Sequence, residues 1–396
     1  MSSLVIQGDT SGSITVEAPS VAGTHTLTLP KATGNIATDA TVGLGTKNLI
    51  INGNMQIAQR GTSATGEGAT EGFKTVDRWN YTTGGTATAG RFTLTQDTAD
   101  APKDQGFGYC TKFDCTTADT SIAAGEGLIW RTKLEGQTLQ AIKKGTASAE
   151  QITLSFWAKG TAATYAVELH DEDNARHNTQ KFTVTTSWQR FTLTFAADTT
   201  GAFNNDNGAS LGINFWLHAG SNYTSGTFTS NTWATRTLTN IAVGIDSFYS
   251  STANEFFITG VQLEIGENAT PFEHRMYSQE LAMCQRYYYV LAEGDNQAIA
   301  VGYYYNATQL SVVGTHPVQM RATPTVDQTT GTNYYSISRN NGNDPFNSFS
   351  VAGSTNNKNY YLFNNTQVSG IAGQAGLVYN YTASGGNAYV ALSAEL

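Results

Sequence analysis

Alternation of apolar and small polar residues runs through most of the chain, with the period of two that places successive side chains on opposite faces of a strand. In QITLSFWAKG, Ile152, Leu154 and Phe156 share one face while Thr153, Ser155 and Trp157 share the other. Phe191, Leu193 and Phe195 make an inward set in WQRFTLTF. GRFTLTQD, TYAVELHDED, KFTVTTSWQRFTLTF, LGINFWLHAG and NEFFITGVQLEIG continue the pattern over residues 46–274, at the short spacings of two packed antiparallel sheets. The period then changes. Tyr277, Leu281, Cys284 and Tyr288 fall at i, i+4, i+7 and i+11 of EHRMYSQELAMCQRYY, a helical stripe that needs a partner. Strand alternation resumes after Tyr289 in AIAVGYYYN, TQLSVVGTHPV, NYYSIS, NYYLFNN, AGLVYNYTAS and GNAYVALSAEL. The expected organisation is all-β. A segment 1–45 is too small to bury its own core; a β-sandwich follows over 46–274, then a short helical joint at 275–289 and a smaller β domain over 290–396.

Composition agrees with that reading. Charged residues are 13% of the 396, about half the ~25% usual in soluble domains, with 40 glycines and only 7 prolines. The net charge of −9 comes with no Lys/Arg run longer than Lys143–Lys144. A nucleic-acid backbone needs a basic stripe, so no nucleic-acid partner is expected. No apolar run approaches the ~20 residues of a membrane span, and the N-terminus lacks the basic and apolar regions of a secretory signal, so neither is expected. Three cysteines are too few for a disulfide framework. Cys110 and Cys115, in CTKFDC, would pair only across a tight loop. Synthesis in a reducing cytoplasm is the expectation.

Candidate chemistry is sparse. LHDEDNARHN gathers His170, Asp171, Glu172, Asp173 and His177, and clustered carboxylates of this kind bind hard cations or work as an acid/base pair. The loop lacks the glycine and distal glutamate of a calcium loop, and its histidines are seven apart. A solvated hairpin turn is the favoured reading, with Asp171 and Asp173 the residues to watch for metal. Glu168, Asp171, Glu264 and Glu273 are the acids available for glycoside hydrolysis, and no spacing favours a pair. Cys284 beside Arg286 is expected to be buried in its stripe, not reactive. Asp77 and Arg78 are expected to form an ion pair or turn, and Trp79 and Trp130 to pack in the sandwich. No catalytic residue is assigned and no cofactor is expected.

Binding has better support, because aromatic rings stack on sugars while amides and hydroxyls bond their oxygens. HAGSNYTSGTFTSNTWATR places Tyr223, Phe228 and Trp233 among small polar residues without strand alternation. In the C-terminal domain GYYYNATQ and GTNYYSISRNNGNDPF offer Tyr303, Tyr305, Tyr334, Tyr335 and Asn340, about one tyrosine of each run pointing inward. RNNGND is the stretch expected to be most exposed.

Several strings in order, NLIINGNMQIAQRGTS, TVDRWNY, ITLSFWAKG, SWQRFTLTF, GVQLEIGENATPFEHR, ELAMCQRYYYV, HPVQMRATPTV and the terminal ALSAEL, together resemble bacteriophage tail-fibre and receptor-binding proteins. The order over residues 48–396 carries the resemblance; no single string is specific. It implies a jelly roll similar to carbohydrate-binding modules over 46–274, a C-terminal tip domain and a homotrimer. LTLPKATGNIAT resembles segments of phage structural proteins and implies that residues 1–45 face other virion proteins. The implied function is non-catalytic attachment to a host surface polysaccharide or lipopolysaccharide, in a virion assembled from protein made in the bacterial cytoplasm. The alternatives are a tailspike-like polysaccharide hydrolase and a purely structural capsid fibre or decoration protein. Met276, Tyr277, Leu281, Cys284 and Tyr288 are the expected trimer contacts. Such jelly rolls often hold calcium with an Asp two residues before the Leu of the last strand; here Gly260, Val261, Gln262, Leu263 and Glu264 lack it, which counts against calcium and leaves only backbone carbonyls as hard-ion ligands.

Overall fold

The chain divides into two units, Met1–Gly45 and Thr46–Leu396. The computed structural model describes residues 3–7, 13–17, 47–85, 88–381 and 388–396. In the first unit, β1 (Ser3–Gln7) and β2 (Ser13–Glu17) pair antiparallel, with Ser3 opposite Glu17. The strand expected in GTHTLTLPKATGNIAT, and with it most of the attachment segment, lies outside the described residues.

The body of the second unit runs β3 (Ser63–Glu67), β4 (Asn80–Thr82), β5 (Arg91–Asp97), β6 (Cys110–Thr117), β7 (Gly127–Glu135), β8 (Ile152–Gly160), β9 (Ala163–Asp171), β10 (Arg176–Val184), β11 (Gln189–Phe195), β12 (Ala209–Ala219), the single turn α1 (Ser221–Thr224), β13 (Ala234–Thr235) and β14 (Glu255–Ile265). These strands form two six-stranded sheets, a front sheet β13-β10-β9-β12-β7-β4 and a rear sheet β11-β8-β14-β6-β5-β3. Alternation explains the arrangement. The inward set of the front sheet (Tyr81, Trp130, Tyr165, Val167, Ile213, Phe215) meets that of the rear sheet (Phe92, Phe113, Leu154, Phe156, Phe256, Leu263) in one core. Trp79 stacks on Trp130 at 5.7 Å, and Phe156 stands edge-on to Phe182 and Phe215. Such pairs contribute about 0.5–1.5 kcal/mol each beyond area burial. Both tryptophans are packed as expected.

The polar face of β8 is also covered. The segment after β14 folds back over the rear sheet, so Thr153 donates to the Gly266 carbonyl (2.7 Å) and the Glu273 amide donates to Gln262 (2.8 Å). Val261 lies in the core. Gly260, at φ 62°, sits at the bulge in β14 between Thr259 and Gln262, and a Cβ there would come within 2.5 Å of the Phe107 ring. Cys110 and Cys115 share β6, five residues apart and so on opposite faces, and both are free.

α2 (Tyr277–Gln285) forms where the helical stripe predicts it and leads into the tip. The tip strands are β15 (Tyr288–Glu293), β16 (Ala298–Asn306), β17 (Gln309–Thr315), β18 (Thr325–Gln328), β19 (Tyr335–Arg339), β20 (Gly342–Phe346), β21 (Ser350–Val351), β22 (Asn359–Asn364), β23 (Ala375–Asn380) and β24 (Tyr389–Ser393). They make a three-stranded sheet β15-β24-β18 and a seven-stranded sheet β20-β19-β23-β16-β17-β22-β21 around a second core that includes Tyr304, Leu310, Tyr335 and Leu362. Among the described residues, no helix is long and apolar enough to cross a membrane.

Body and tip are joined by buried polar groups, and these correct the expected trimer stripe in part. Glu135 accepts from Nε and Nη2 of Arg286 (2.8 Å each) and from the Tyr287 hydroxyl (2.5 Å). Asp77 and Arg78 form the expected turn, closed by the Trp79 amide donating to the Val76 carbonyl (3.3 Å), but they are not ion-paired with each other: Arg78 pairs with Glu395 and lies 3.4 Å over the Tyr287 ring. Asp77 instead accepts from Gln59 and stands 3.8 Å from Arg60. Arg60 also pairs with Glu395 (3.2 Å) and lies 3.4 Å over the Tyr288 ring. Within the stripe expected at a trimer axis, Met276 and Tyr277 are exposed and Leu281 is half-buried, whereas Cys284 and Tyr288 are buried inside the chain. Those two cannot reach another copy as the chain is folded. The stripe turns from helix to strand at Tyr288, whose hydroxyl donates to Asp327 (3.1 Å), and this carries its far end into the joint. Burial pushes the Cys284 thiol well above its usual range, which fits packing over reactivity.

Two outcomes follow from the joint. Glu135→Ala leaves the Arg286 fork and the Tyr287 hydroxyl without their acceptor, and should lower stability by about 1–3 kcal/mol in urea titration, with faster proteolysis between body and tip. A loss near zero would mean that the joint is held by other contacts. Burial pushes the Asp77 carboxyl up to about 6, against the opposing pull of Arg60 and Gln59. Because that value lies above the ~3.9 of an unfolded Asp, the contribution of Asp77 to stability is full below about pH 4 and is lost as pH rises through 6. The stability difference between wild type and Asp77→Asn should therefore move in favour of the variant from about pH 4 to pH 7. A difference flat in pH would contradict the assignment.

Candidate functional site

The outward face of the front sheet brings charged, amide and aromatic side chains together. Alternation turns Ile129, Arg131 and Lys133 of β7 outward, together with Ala166, Glu168 and His170 of β9, and Gly212, Asn214 and Trp216 of β12. Antiparallel register sets Asn214 between Arg131 and Glu168, and Gly212 between Lys133 and His170. The long connection after β12 folds over part of this face, where Tyr223, Ile241 and Ala242 pack on Ile129, Ala166 and Trp216. What remains open is a groove of about 400 Å³ lined by Thr82, Gly84, Ile129, Arg131, Lys133, His170, Glu172, Asn214, Trp216, Tyr223, Arg236 and Leu238. That volume falls within the range of about 300–1,000 Å³ typical of small-molecule sites. Gly212 keeps the floor low: a Cβ there would stand 3.3 Å from Glu172 and 3.4 Å from Asn214.

Glu168 organises the floor. Its carboxylate is fully buried and accepts from Arg236 Nε (2.6 Å) and Nη2 (3.2 Å), Trp216 Nε1 (3.1 Å) and Asn214 Nδ2 (3.0 Å), with His177 Nδ1 at 3.6 Å. Burial alone would raise this carboxyl, but His177 and Arg236 overcome it and hold it well below the usual carboxylate range. Lys133 donates to Glu172 (2.9 Å) on the wall. Burial, reinforced by Arg236, lowers the His170 imidazole and favours its neutral form. Arg131 Nε donates to Asn80 Oδ1 (3.3 Å), and burial pulls the guanidinium below its ordinary value. Asn214 spends its amide nitrogen on Glu168, which leaves its buried Oδ1 without a hydrogen-bond partner among the described residues. Tyr223 donates to the Gly84 carbonyl. Trp216 and Tyr223 lie 4.9 Å apart, both buried, so they form a wall and not a stacking platform.

Of the residues expected to bind sugar, Tyr223 lines the groove and the others lie elsewhere. Phe228 is half-buried with Lys181 Nζ 4.3 Å over its ring. Trp233 packs against the body core and donates to the Ala196 carbonyl (2.8 Å). Tyr303 and Tyr305 are exposed on the tip, on either side of buried Tyr304, as alternation predicts. Tyr334 is half-buried. Tyr335 is a correction: it is fully buried in the tip core, and its hydroxyl donates to the Thr329 and Tyr389 carbonyls (2.9 and 2.6 Å), so no ligand reaches it. Asn340 is exposed at the β19–β20 hairpin, where it and Asn341 both take positive φ (45° and 61°), the primed-turn geometry of two-residue loops.

LHDEDNARHN does form a hairpin between β9 and β10, yet Asp171 is not solvated. It is buried, 2.6 Å from Lys144 Nζ, and also accepts from Asn174, while Asp173 accepts from Asn204. Their oxygens are already bonded to protein donors, and among the described residues no group of three His, Cys, Asp or Glu could hold a metal ion. Sequence reasoning missed Arg131, Asn214, Trp216 and Arg236. The available signal was the polar residues inside otherwise apolar central strands, Arg131 in LIWRTKL and Asn214 in LGINFWL.

No family model matches the chain, and no curated protein matches it. Among solved structures it is similar to the enzymatically active domain of a bacteriophage CBA120 tailspike protein, at 14% identity over 55% of this chain, with a TM-score of 0.30. It spans only 21% of that tailspike chain. It is also similar to a family 11 carbohydrate-binding module of a Clostridium thermocellum cellulosomal cellulase (13% identity, 54% of this chain, 99% of that one, TM-score 0.25) and to a xylan-binding domain from Paenibacillus barcinonensis (10%, 56%, 96%, 0.26). Overlaps this low assign no ligand.

Glu168→Ala removes the shared acceptor of Arg236, Trp216 and Asn214 and leaves a part-buried cation and two buried donors unpaired. The expected cost is about 3 kcal/mol in chemical denaturation. Stability unchanged within error would contradict the role of Glu168 as the support of the groove.

Proposed function

We propose that this protein is a non-catalytic receptor-binding or tail-fibre component of a virion, which attaches to a host surface polysaccharide or lipopolysaccharide. We place the glycan in the groove on the front sheet. The observation that carries the reading is the groove's lining: amide, hydroxyl, guanidinium and aromatic groups converge there, with the Asn214 oxygen left free to accept from a sugar hydroxyl. The ordered resemblance of residues 48–396 to tail-fibre proteins supports the virion role, with residues 1–45 as the partner of other virion proteins.

The absence of catalysis is part of the proposal. A glycosidase needs one carboxyl that keeps a proton to give. Glu168 is held ionised and buried at the floor of the groove, and Glu172 is paired with Lys133.

A homotrimer is also proposed, and the outer face of the seven-stranded sheet supports it. Val301, Tyr303 and Tyr305 of β16, Val313 of β17 and Leu377 of β23 are exposed there, and these three strands contain no charged residue. In a chain of net charge −9, a charge-free apolar face lets copies meet without repulsion. Three copies would also multiply weak sugar contacts.

Light scattering on the purified chain should give about three times 42.3 kDa. Fluorescently labelled protein should stain susceptible cells, lose that staining to competing purified surface polysaccharide, and release no reducing ends from it. Asn214→Ala should weaken staining. A 42.3 kDa monomer would sink the trimer, and failure to stain any susceptible host would favour a structural fibre.

A further inference from the structure

We propose that the groove selects glycans bearing an anionic group, a carboxylate or a phosphate ester, and that Arg131 receives it. The inference rests on the groove being the glycan site, and it names the class of glycan.

The argument starts from how the cations of the groove are partnered. Arg236 is bound in a two-pronged pair with Glu168, and Lys133 with Glu172. Arg131 differs from both. Its Nε meets only the neutral amide of Asn80, and its terminal nitrogens have no hydrogen-bond or ion-pair acceptor among the described residues. Glu172, Glu71 and Glu168 act on it only at longer range, opposed by the like charge of Arg236. Arg131 is half-buried and lines the open groove. A guanidinium that has lost part of its hydration without gaining a charged acceptor is stabilised by any anion that reaches it, and its planar fork matches the two oxygens of a carboxylate or phosphate.

A second, independent feature lies beside it. Asn214 is directly opposite Arg131 in the β12–β7 ladder, lines the same groove and carries a buried oxygen with no donor. A charged fork next to a lone acceptor suits an acidic group with a ring hydroxyl within reach, a combination that both uronic acids and sugar phosphates offer. Neutral sugars would satisfy Asn214 and leave the Arg131 fork unpaired. Lysine in place of Arg131 would supply charge without the two parallel donors.

The test is a glycan array probed with the labelled full-length protein, carrying trigalacturonate, its methyl ester, mannose 6-phosphate and mannose, beside a broad set of neutral glucans, xylans and galactans. Wild type should bind the uronate or the phosphate roughly tenfold to a hundredfold more tightly than the matched neutral form, the range of a charged hydrogen-bonded pair. Which of the two charged probes binds identifies the source of the anion. Arg131→Gln should abolish the preference, and Arg131→Lys should restore part of it in a variant that keeps the charge. Equal binding of charged and neutral forms, or a preference that survives in Arg131→Gln with an unchanged circular dichroism spectrum, would overturn the inference while leaving a glycan-binding groove in place. Binding to no glycan of either class would overturn both readings.

Discussion

A full negative charge without access to solvent makes heavy demands on its surroundings, and the outward face of the front sheet is arranged around one, Glu168. Removing a carboxylate from water costs several kcal/mol even after relaxation, so it persists only where donors surround it. Glu168 gathers Asn214 and Trp216 from β12 and Arg236 from the connection that follows β13. Each of those residues lines the groove. Satisfying one buried charge therefore holds the indole, amide and guanidinium of the groove in place.

The same arrangement leaves something over. Asn214 spends its nitrogen on Glu168 and has an oxygen free, and Arg131 sits opposite with a guanidinium that meets only an amide. Both groups sit on strands packed on their other face against the aromatic core, so the backbone that carries them is held in place. A site on such strands is rigid before ligand arrives, and the ordering cost of binding falls mainly on the sugar.

The joint between body and tip follows the same logic. Its residues come from the body (Arg60, Asp77, Arg78, Glu135), from the end of the helix (Arg286, Tyr287, Tyr288) and from the end of the chain (Glu395). Arginines are laid over tyrosine rings and paired with carboxylates there, so body and tip are tied by directional contacts and not by a shared apolar core. The two hydrophobic cores stay separate.

Alternation of period two was enough to place the main strands of the sandwich, the inward sets of β8 and β11 and the inward turn of Tyr304 between its exposed neighbours, and the change to a helical period placed the helix at 277–285. Those features depend on a residue and its near neighbours, which is what a linear pattern records. Alternation also assigns Arg131, Asn214 and Trp216 to the outward face, but it cannot say that strands β4, β7, β9 and β12 lie side by side. Nor can it show that the connection after β12 folds down to roof a groove. Tyr335 and Tyr288 show the limit from the other direction. Each looks available in the chain, and each is buried because a strand distant in sequence closes over it. Which strand neighbours which is decided by non-local packing, and only the tertiary structure brought an arginine without a carboxylate and an amide oxygen without a donor to the same place.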